Sequence, residues 1–356
     1  MKRIPFDPKE LIPIGEEPGF MPGMPGRPIF PTPITPRENY LMLLSGEVPL
    51  WMPAGMSDST MMTCKLAENV ARGFVFEAER IDNNTEAGGP DFFGVEWEYV
   101  PTVGGSMVRA GDPKIPDIEH WEDYITFPKV SEVMDWEACA ERNKSFVNPK
   151  KALNITILTG LFERLISFMD FENAAFALVD EDEQEGVHRL FDRLADFYDE
   201  YIDYYHRYLH PDVITLHDDW GSQRAPFFGL STVEEMILPY LKRVVESVHK
   251  RGMLFEMHSC GKNELLVPAY IEAGVDLWSG QPMNYFEMLY EEYGDKIELG
   301  MPIQGLTEDM DEGRMYDVIA EFVEKHPHAM GNVGMTAPAK ASEALYEASR
   351  KYYYAN

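Results

Sequence analysis

The chain has 356 residues, of which 45% are hydrophobic, and this is ample for a well-buried core. Its formal net charge is −30, from 61 Asp and Glu against 31 Lys and Arg, and such a surface repels nucleic-acid phosphates. No stretch reaches the roughly 20 apolar residues of a membrane helix, and the first residues lack the apolar run of a signal peptide. The three cysteines do not suggest a disulfide framework, so we expect a cytoplasmic protein without nucleic-acid or membrane contacts. The acidic charge provides solubility or, alternatively, steers a basic partner protein.

Proline recurs throughout the N-terminus, from Pro5 to Pro36. Because proline removes backbone donors and blocks helices, we predict an irregular arm over residues 1–34 and a single domain over residues 35–356. The arm either wraps the domain or the partner subunit of a homodimer, or it is a loosely attached tail.

The first predicted helix begins after Thr35, which caps it, with Pro36 at the first helical position and Gly46 near its end. Three further segments follow: a short strand candidate over 48–53, a helix over 65–80 and an extended segment over 91–99.

From residue 152 onwards, strand and helix patterns alternate regularly. We predict strands over 152–158, 213–217, 253–260, 275–278, 297–301 and 328–333. We predict helices over 161–169, 172–180, 183–209, 232–251, 263–273, 285–293, 312–325 and 340–353. This alternation implies an α/β fold with a parallel sheet and favours a closed (β/α)₈ TIM barrel, with an open doubly wound sheet as the alternative.

Three alternate residues near the end of the strand over 253–260 carry polar groups: Glu256, His258 and Cys260. Alternate strand residues share a face, and the carboxyl ends of barrel strands are where active sites lie. Imidazole and thiolate are preferred zinc ligands, and a carboxylate can complete the set. The alternative is a satisfied core histidine beside an inert buried cysteine.

A second polar run begins at His217, where the strand over 213–217 ends. Asp218 and Asp219 point in opposite directions if the chain is extended, so at most one of them faces the barrel mouth. The carboxylate that faces the barrel mouth serves as an acid or base if burial raises its pKa. The other carboxylate forms hydrogen bonds with the loop backbone. Four residues after predicted strands are candidates for substrate contacts: Asp218, Trp220, Gln223 and Gln304.

These runs resemble the uroporphyrinogen decarboxylase superfamily, over about residues 35–350. The resemblance rests on Asp218–Arg224, the helix from Ser231 to Tyr240, His258–Gly261, Thr35–Glu38 and Gly160–Glu163. The chain is most similar to the corrinoid-dependent methyltransferase branch, which includes methylcobamide:coenzyme M methyltransferases and enzymes that demethylate aryl methyl ethers. Membership implies a (β/α)₈ barrel with its pocket at the carboxyl-terminal mouth.

In that branch, zinc is bound by the His and Cys of a His-x-Cys motif and by a later Cys. His258 and Cys260 match the first two, whereas residues 330–335, where the later Cys is expected, contain none. Glu256 or a carboxylate from another strand then supplies the third ligand, or the metal has been lost. The decarboxylase proper also carries an Arg-rich segment, and the corresponding residues 51–57 contain no arginine. This argues against a porphyrinogen substrate with four carboxylates, because buried carboxylates need paired cations.

The resemblance implies transfer of a methyl group from a small methylated substrate, preferably an aryl methyl ether, to the cobalt of a corrinoid on a separate protein. Zinc on His258, Cys260 and Glu256 would polarise the leaving atom. Without zinc, Asp219 or Glu256, kept protonated by burial, would donate a proton instead. The alternatives are a decarboxylase acting on a less acidic substrate and a binding protein on a barrel scaffold.

Overall fold

Strands and helices alternate along the chain in the computed structural model, which describes residues 4–17, 26–102, 104–307, 309–333 and 340–355. These residues fall into two units, each considered by itself. The first unit comprises residues 1–59, 149–152 and 290–356, and the second comprises residues 60–148 and 153–289. None of the helices in the described ranges is long and apolar enough to span a membrane.

The strands are β1 (Gly15–Glu17), β2 (Arg27–Ile29), β3 (Ser59–Met62), β4 (Gly89–Pro90), β5 (Glu96–Val100), β6 (Gly105–Val108), β7 (Ala152–Ile157), β8 (Val213–His217), β9 (Leu254–Ser259), β10 (Leu277–Gly280), β11 (Glu298–Pro302) and β12 (Met330–Asn332). The α-helices are α1 (Pro36–Leu44), α2 (Ala67–Ala71), α3 (Asn83–Glu86), α4 (Trp136–Asn143), α5 (Leu161–Met169), α6 (Phe171–Ala177), α7 (Gln184–Leu209), α8 (Leu230–Thr232), α9 (Leu238–His249), α10 (Val267–Ala273), α11 (Phe286–Tyr293), α12 (Glu312–Lys325) and α13 (Ala341–Ala355). A π-helical turn, Val233–Ile237, joins α8 to α9.

In the second unit, strands β7, β8, β9 and β10 lie side by side and run parallel, with β3 next to β7. Every residue of β7 is buried, as expected for a parallel strand that is covered on both faces. The helices α5, α7, α9 and α10 that alternate with these strands each bury an apolar face. Because neighbouring strands are parallel, their carboxyl ends lie at the same edge of the sheet, and the loops that follow them meet there.

In the first unit, Thr35 and Glu38 cap α1 reciprocally, and β11 pairs with β12 in parallel. The described part of the N-terminal arm contains a 3₁₀ turn and the antiparallel pair β1 and β2. Glu10 of that turn is buried and forms an ion pair with Arg350 of α13, with an Nε–Oε2 distance of 2.9 Å. Residues 1–3 and 18–25 of the predicted arm lie outside the described residues, and the division into arm and domain stays a prediction.

The α/β class with parallel strands is confirmed, whereas closure into an eight-stranded barrel stays a prediction. The predicted bounds of β8, α5 and α12 agree with the structure. The strand candidate over 48–53 is wrong, because that segment is irregular. The helix over 65–80 is wrong beyond Ala71, because Gly73 adopts a φ of +71° and Phe76 pairs back with Thr63 in an antiparallel bridge.

Candidate metal centre at two strand ends

The ends of β8 and β9 bring two histidines together. His217 and His258 occupy paired positions on these neighbouring strands, and their rings stack with centroids 5.3 Å apart and an interplanar angle of 19°. Burial alternates along β9, where Glu256 and His258 are half-buried and the residues between them are buried. This alternation, which continues to Cys260, confirms the shared face of Glu256, His258 and Cys260.

Four potential ligands form what we call the strand-end cluster: His217, Asp219, His258 and Cys260, whose ligand atoms all lie within 4.8 Å of one another. Nε2 of His217 is 3.4 Å from Oδ1 of Asp219, and Nε2 of His258 is 3.6 Å from Sγ of Cys260. The backbone N–H of Cys260 donates to Oδ1 of Asp219 at 2.6 Å, which ties the two loops to each other. The sequence predicted three of these residues as site residues and missed His217.

Hydrogen bonds to the backbone orient the two imidazoles. Nδ1 of His217 donates to the carbonyl oxygen of Leu158 at 3.0 Å, so Nε2 is the ring nitrogen that faces the cluster. The ring of His258 forms a hydrogen bond with the backbone of Ser279. A hydrogen bond on one ring nitrogen that fixes the other toward a metal is the usual support for a histidine ligand.

Burial sets the protonation of the cluster. Burial, together with the neighbouring His217, lowers the pKa of His258 to about 4, so its imidazole is neutral at neutral pH. Burial and the carboxylate of Asp219 raise the pKa of Cys260 to about 12, so the thiol keeps its proton until a cation replaces it. Neutral imidazole is the form that binds metals.

Glu256 lies outside the strand-end cluster, which corrects the expectation that it is the third ligand. Its register partner on β8 is Thr215, two residues before the histidine pair. Oε2 of Glu256 accepts hydrogen bonds from Nδ2 of Asn154 at 2.6 Å and Oγ1 of Thr215 at 2.8 Å, and Oε1 accepts one from Oγ of Ser279. Glu256 therefore joins four neighbouring strands beneath the cluster, and Asp219 takes the place that the sequence reasoning gave to Glu256.

Two further candidates are framework residues in this structure. Asp218 is 1% exposed, and its carboxylate accepts the backbone N–H groups of Phe162 at 3.1 Å and Glu163 at 2.7 Å, in the first turn of α5. Burial raises the pKa of Asp218 to about 7. Trp220 is 0% exposed and packs against Tyr270. Neither side chain reaches the surface, and contact of Asp218 and Trp220 with substrate stays a prediction.

The glutamine candidates both follow strands, as predicted, and their contact with substrate stays a prediction. Gln223 and Gln304 are exposed in turns, and Gln304 belongs to the first unit. Gln281, which the sequence reasoning did not single out, follows β10, and its Oε1 accepts the backbone N–H of Gly261 at 2.8 Å. Of residues 330–335, where the branch has its later cysteine, 334 and 335 lie outside the described residues.

The loops that carry the cluster pack closely. Gly261 has a φ of +92°, and a Cβ there would lie 2.2 Å from the carbonyl oxygen of Gly221. A charged pair borders the site, since Nη1 of Arg72 lies 2.7 Å from Oε2 of Glu163 and both charges act on the thiol of Cys260. The Arg72 cation that acts on Cys260 is therefore already paired with a carboxylate.

The strand-end cluster fits zinc. Two imidazoles, one thiol and one carboxylate are the nitrogen, sulfur and oxygen donors that this ion takes, and a thiolate with a carboxylate balances its charge. The side chains of His217 and Asp219 are 18% and 27% exposed, so small molecules can reach the cluster. A catalytic zinc site takes three protein ligands and keeps its fourth position open, so three of these four donors would hold the ion during catalysis.

The chain matches the family model described as uroporphyrinogen decarboxylase (URO-D) over residues 90–309. Among solved structures, it is similar in fold to a methyltransferase from Methanosarcina mazei, with 14% identity over 90% of this chain and 99% of that chain and a TM-score of 0.58. A sugar phosphate isomerase/epimerase from Parabacteroides distasonis (11% identity, 66% of this chain, 80% of that chain, TM-score 0.34) and a GH18 chitinase from Cycas revoluta (10%, 64%, 88%, 0.35) are too remote to carry an argument. No curated protein matches the chain.

The matched residues 90–309 make up more than half of the chain and include both strand ends of the cluster. The family predicted from the sequence motifs is confirmed. The chain belongs to the uroporphyrinogen decarboxylase (URO-D) family.

Proposed function

We propose that this protein is a methyltransferase that moves a methyl group from a small methylated substrate to the cobalt of a corrinoid held by a separate protein. The observation that carries the proposal is the strand-end cluster, in which four zinc-type donors converge at the carboxyl ends of two parallel strands. The URO-D family match and the fold shared with a methyltransferase support the same reaction class. We also propose that the complete fold is the (β/α)₈ barrel that the sequence predicts.

The chain's own residues would hold the ion in a defined orientation. His217 and His258 each present a ring nitrogen to the cluster, since the other ring nitrogen of His217 is fixed by Leu158 and the ring of His258 is bonded to the backbone of Ser279. Zinc bound there supplies a Lewis acid that stabilises charge developing on the leaving atom of the methyl donor. Cys260 gives up its thiol proton when the ion binds. If no ion binds, Asp219 is the group positioned to donate a proton.

An aryl methyl ether is the substrate class that we favour. A carboxylate ligand in the place of the branch's later cysteine makes the ion a harder Lewis acid, which suits an ether oxygen better than a thiol. A substrate with four carboxylates does not suit the site, because Arg72 already pairs with Glu163 and extra buried carboxylates would lack partners. The family's decarboxylase reaction on a less acidic substrate remains the second candidate, since the matched family model describes a decarboxylase.

The test incubates the purified chain with free cob(I)alamin and a panel of methoxylated aromatics, and it measures the released phenol and the zinc content. We expect demethylation by the wild type, loss of both demethylation and zinc in Asp219→Asn, and retention of zinc in the matched variant Glu256→Gln. Zinc loss in Glu256→Gln with retention in Asp219→Asn would restore Glu256 as the ligand. Full activity in a wild type that contains no zinc would rule out the metal mechanism. Asp219 would then be the proposed proton donor. Conversion of uroporphyrinogen to coproporphyrinogen at an appreciable rate would overturn the proposed reaction.

A further inference from the structure

A second group of chemically reactive side chains lies in the second unit, outside the strand-end cluster. We call it the buried thiol cluster: Cys64, Glu77 and Cys139, whose ligand atoms lie within 4.8 Å of one another. The bridge between Thr63 and Phe76 sets Cys64 beside Glu77, and α4 contributes Cys139. The three residues are 0%, 1% and 1% exposed, in that order. Nothing in the proposed methyl transfer uses them.

The carboxylate of Glu77 in the buried thiol cluster already accepts hydrogen bonds on both of its oxygens. Oε1 of Glu77 accepts from Nε and Nη2 of Arg142, both at 2.8 Å. Oε2 accepts from the backbone N–H of Lys65 and from Nδ2 of Asn143, each at 3.1 Å. A metal ion would have to compete with this guanidinium for the same carboxylate, and the described residues around the two sulfurs offer no imidazole. The chemistry that remains is that of the two thiols.

The two thiols are not equivalent. Nδ2 of Asn143 donates to Sγ of Cys139 at 3.5 Å, and the thiol of Cys139 donates to Oε2 of Glu77 at 3.8 Å. The hydrogen bond between the two thiols lowers the pKa of Cys139 and raises that of Cys64. Cys139 is therefore the more nucleophilic sulfur, and Cys64 is the protonated neighbour within reach of it.

We propose that Cys64 and Cys139 are a peroxide-oxidisable pair in which Cys139 is attacked first and Cys64 resolves it to a disulfide. The Cys139 sulfur takes one oxygen from hydrogen peroxide, the O–O bond breaks, and the sulfenic acid and one water form. The Cys64 thiol then attacks that sulfur, a disulfide forms, and the hydroxyl leaves as a second water with the thiol proton. Two electrons pass from the thiols to one peroxide, and a dithiol reductant reverses the change.

Burial sets the rate of this reaction. Peroxide is a small molecule, and it reaches 0–1% exposed sulfurs only when the structure opens locally. The pair therefore reacts slowly, and the reaction ends in a closed disulfide. The proposal is independent of the methyl-transfer activity.

The experiment uses the full-length Cys260→Ser variant, in which only the pair remains, under native conditions with millimolar hydrogen peroxide. We expect loss of both titratable thiols and of about 2 Da, reversal by dithiothreitol, and a rise in Tm of about 5 °C for the oxidised form. In Cys64→Ser/Cys260→Ser we expect a sulfenic acid on Cys139 that dimedone traps. In the matched Cys139→Ser/Cys260→Ser variant we expect Cys64 to stay unmodified over the same time.

Two titratable thiols persisting in native Cys260→Ser after prolonged peroxide would overturn the pair, and this result does not depend on how the double variants fold. Equal dimedone labelling of Cys64 and Cys139 would overturn the assignment of the attacked sulfur. If Cys260→Ser contains zinc and Cys64→Ser/Cys260→Ser does not, the two thiols belong to a metal site and not to an oxidisable pair. Circular dichroism of each variant checks that the comparison is made on folded protein.

Discussion

The strand-end cluster and the buried thiol cluster both bring thiol and carboxylate groups within 4.8 Å of one another, yet their surroundings assign them different chemistry. At the strand ends, the carboxylate of Asp219 lies beside an imidazole, with its Oδ1 3.4 Å from Nε2 of His217. In the buried thiol cluster, Arg142 already neutralises Glu77. The strand-end cluster is therefore our candidate for a cation site, whereas the carboxylate of the buried thiol cluster already has a cation beside it.

This difference shows that ligand types alone do not identify a metal site. What separates the two clusters is the next layer of contacts, in which carbonyl oxygens orient the histidines while a guanidinium occupies the glutamate. Exposure separates them further, because His217 and Asp219 are partly accessible whereas Cys64 and Cys139 are sealed. Each prediction below perturbs one side of this comparison and uses a control on the other side or on the surface.

The largest effect is expected from removing a strand-end ligand. His258→Ala should lower the rate of demethylation with cob(I)alamin by more than about 100-fold, because the ion that polarises the leaving group is lost. The control, Cys64→Ser in the buried thiol cluster, should keep the wild-type rate within about 2-fold. A comparable loss of rate in both variants, with folding intact, would show that the two clusters do not differ in function.

The next effect concerns the ion pair that completes the buried thiol cluster. Arg142→Met leaves the fully buried carboxylate of Glu77 without its cation, and we expect the free energy of unfolding to fall by about 3 kcal/mol. The control is Arg109→Met, which removes an exposed pair with Glu98 and should cost less than about 1 kcal/mol. Chemical denaturation measures both, and similar costs would show that Arg142 does not complete the cluster.

A smaller effect is expected from adding one methyl group beside the strand-end cluster. Gly261→Ala places a Cβ 2.2 Å from the carbonyl oxygen of Gly221 and forces a φ of +92° on alanine, so we expect a loss of about 2–3 kcal/mol together with weaker zinc binding. Gly252→Ala is the matched control, because its φ is +76° but no atom lies within 4 Å of the added Cβ. That variant should cost about 1 kcal/mol. Equal costs would mean that the loop contact is not required.

The smallest effect is expected at a surface histidine, His249. Nε2 of His249 lies 2.7 Å from Oδ2 of Asp276, and this hydrogen bond raises the pKa of His249. The stabilisation is therefore fully present below the unfolded pKa of about 6.5 and is lost as the pH rises through the raised pKa of the folded state. His249→Gln should lower stability by about 0.5 kcal/mol at pH 5.5 and hardly at all at pH 9. A difference that grows with pH would contradict this sign.

Local patterns in the sequence were sufficient for the elements that carry the site. The alternation from Glu256 to Cys260 fixed a shared face because side chains alternate along any strand. The bounds of β8 followed from its apolar run. The helix after residue 65 was overestimated, because the long-range bridge between Thr63 and Phe76 overrides the local pattern there.

The composition of the site depends on register and on distant contacts, which a single sequence does not display. His217 enters the cluster because β8 and β9 are neighbours with His217 opposite His258. Glu256 leaves it because Asn154, Thr215 and Ser279 come from three other strands to occupy its oxygens. The signal that could have identified His217 is its position at the end of a predicted strand, directly before two acidic residues.

The most direct test of the central claim is the zinc content of four purified chains after loading with zinc and removal of the excess. We predict about one zinc per chain in the wild type and in Cys64→Ser/Cys139→Ser, and close to none in His217→Ala and His258→Ala. His217 is the decisive position, because the structure rather than the sequence placed it in the cluster. Full zinc in His217→Ala, or loss of zinc in Cys64→Ser/Cys139→Ser, would contradict the assignment of the metal centre to the strand ends.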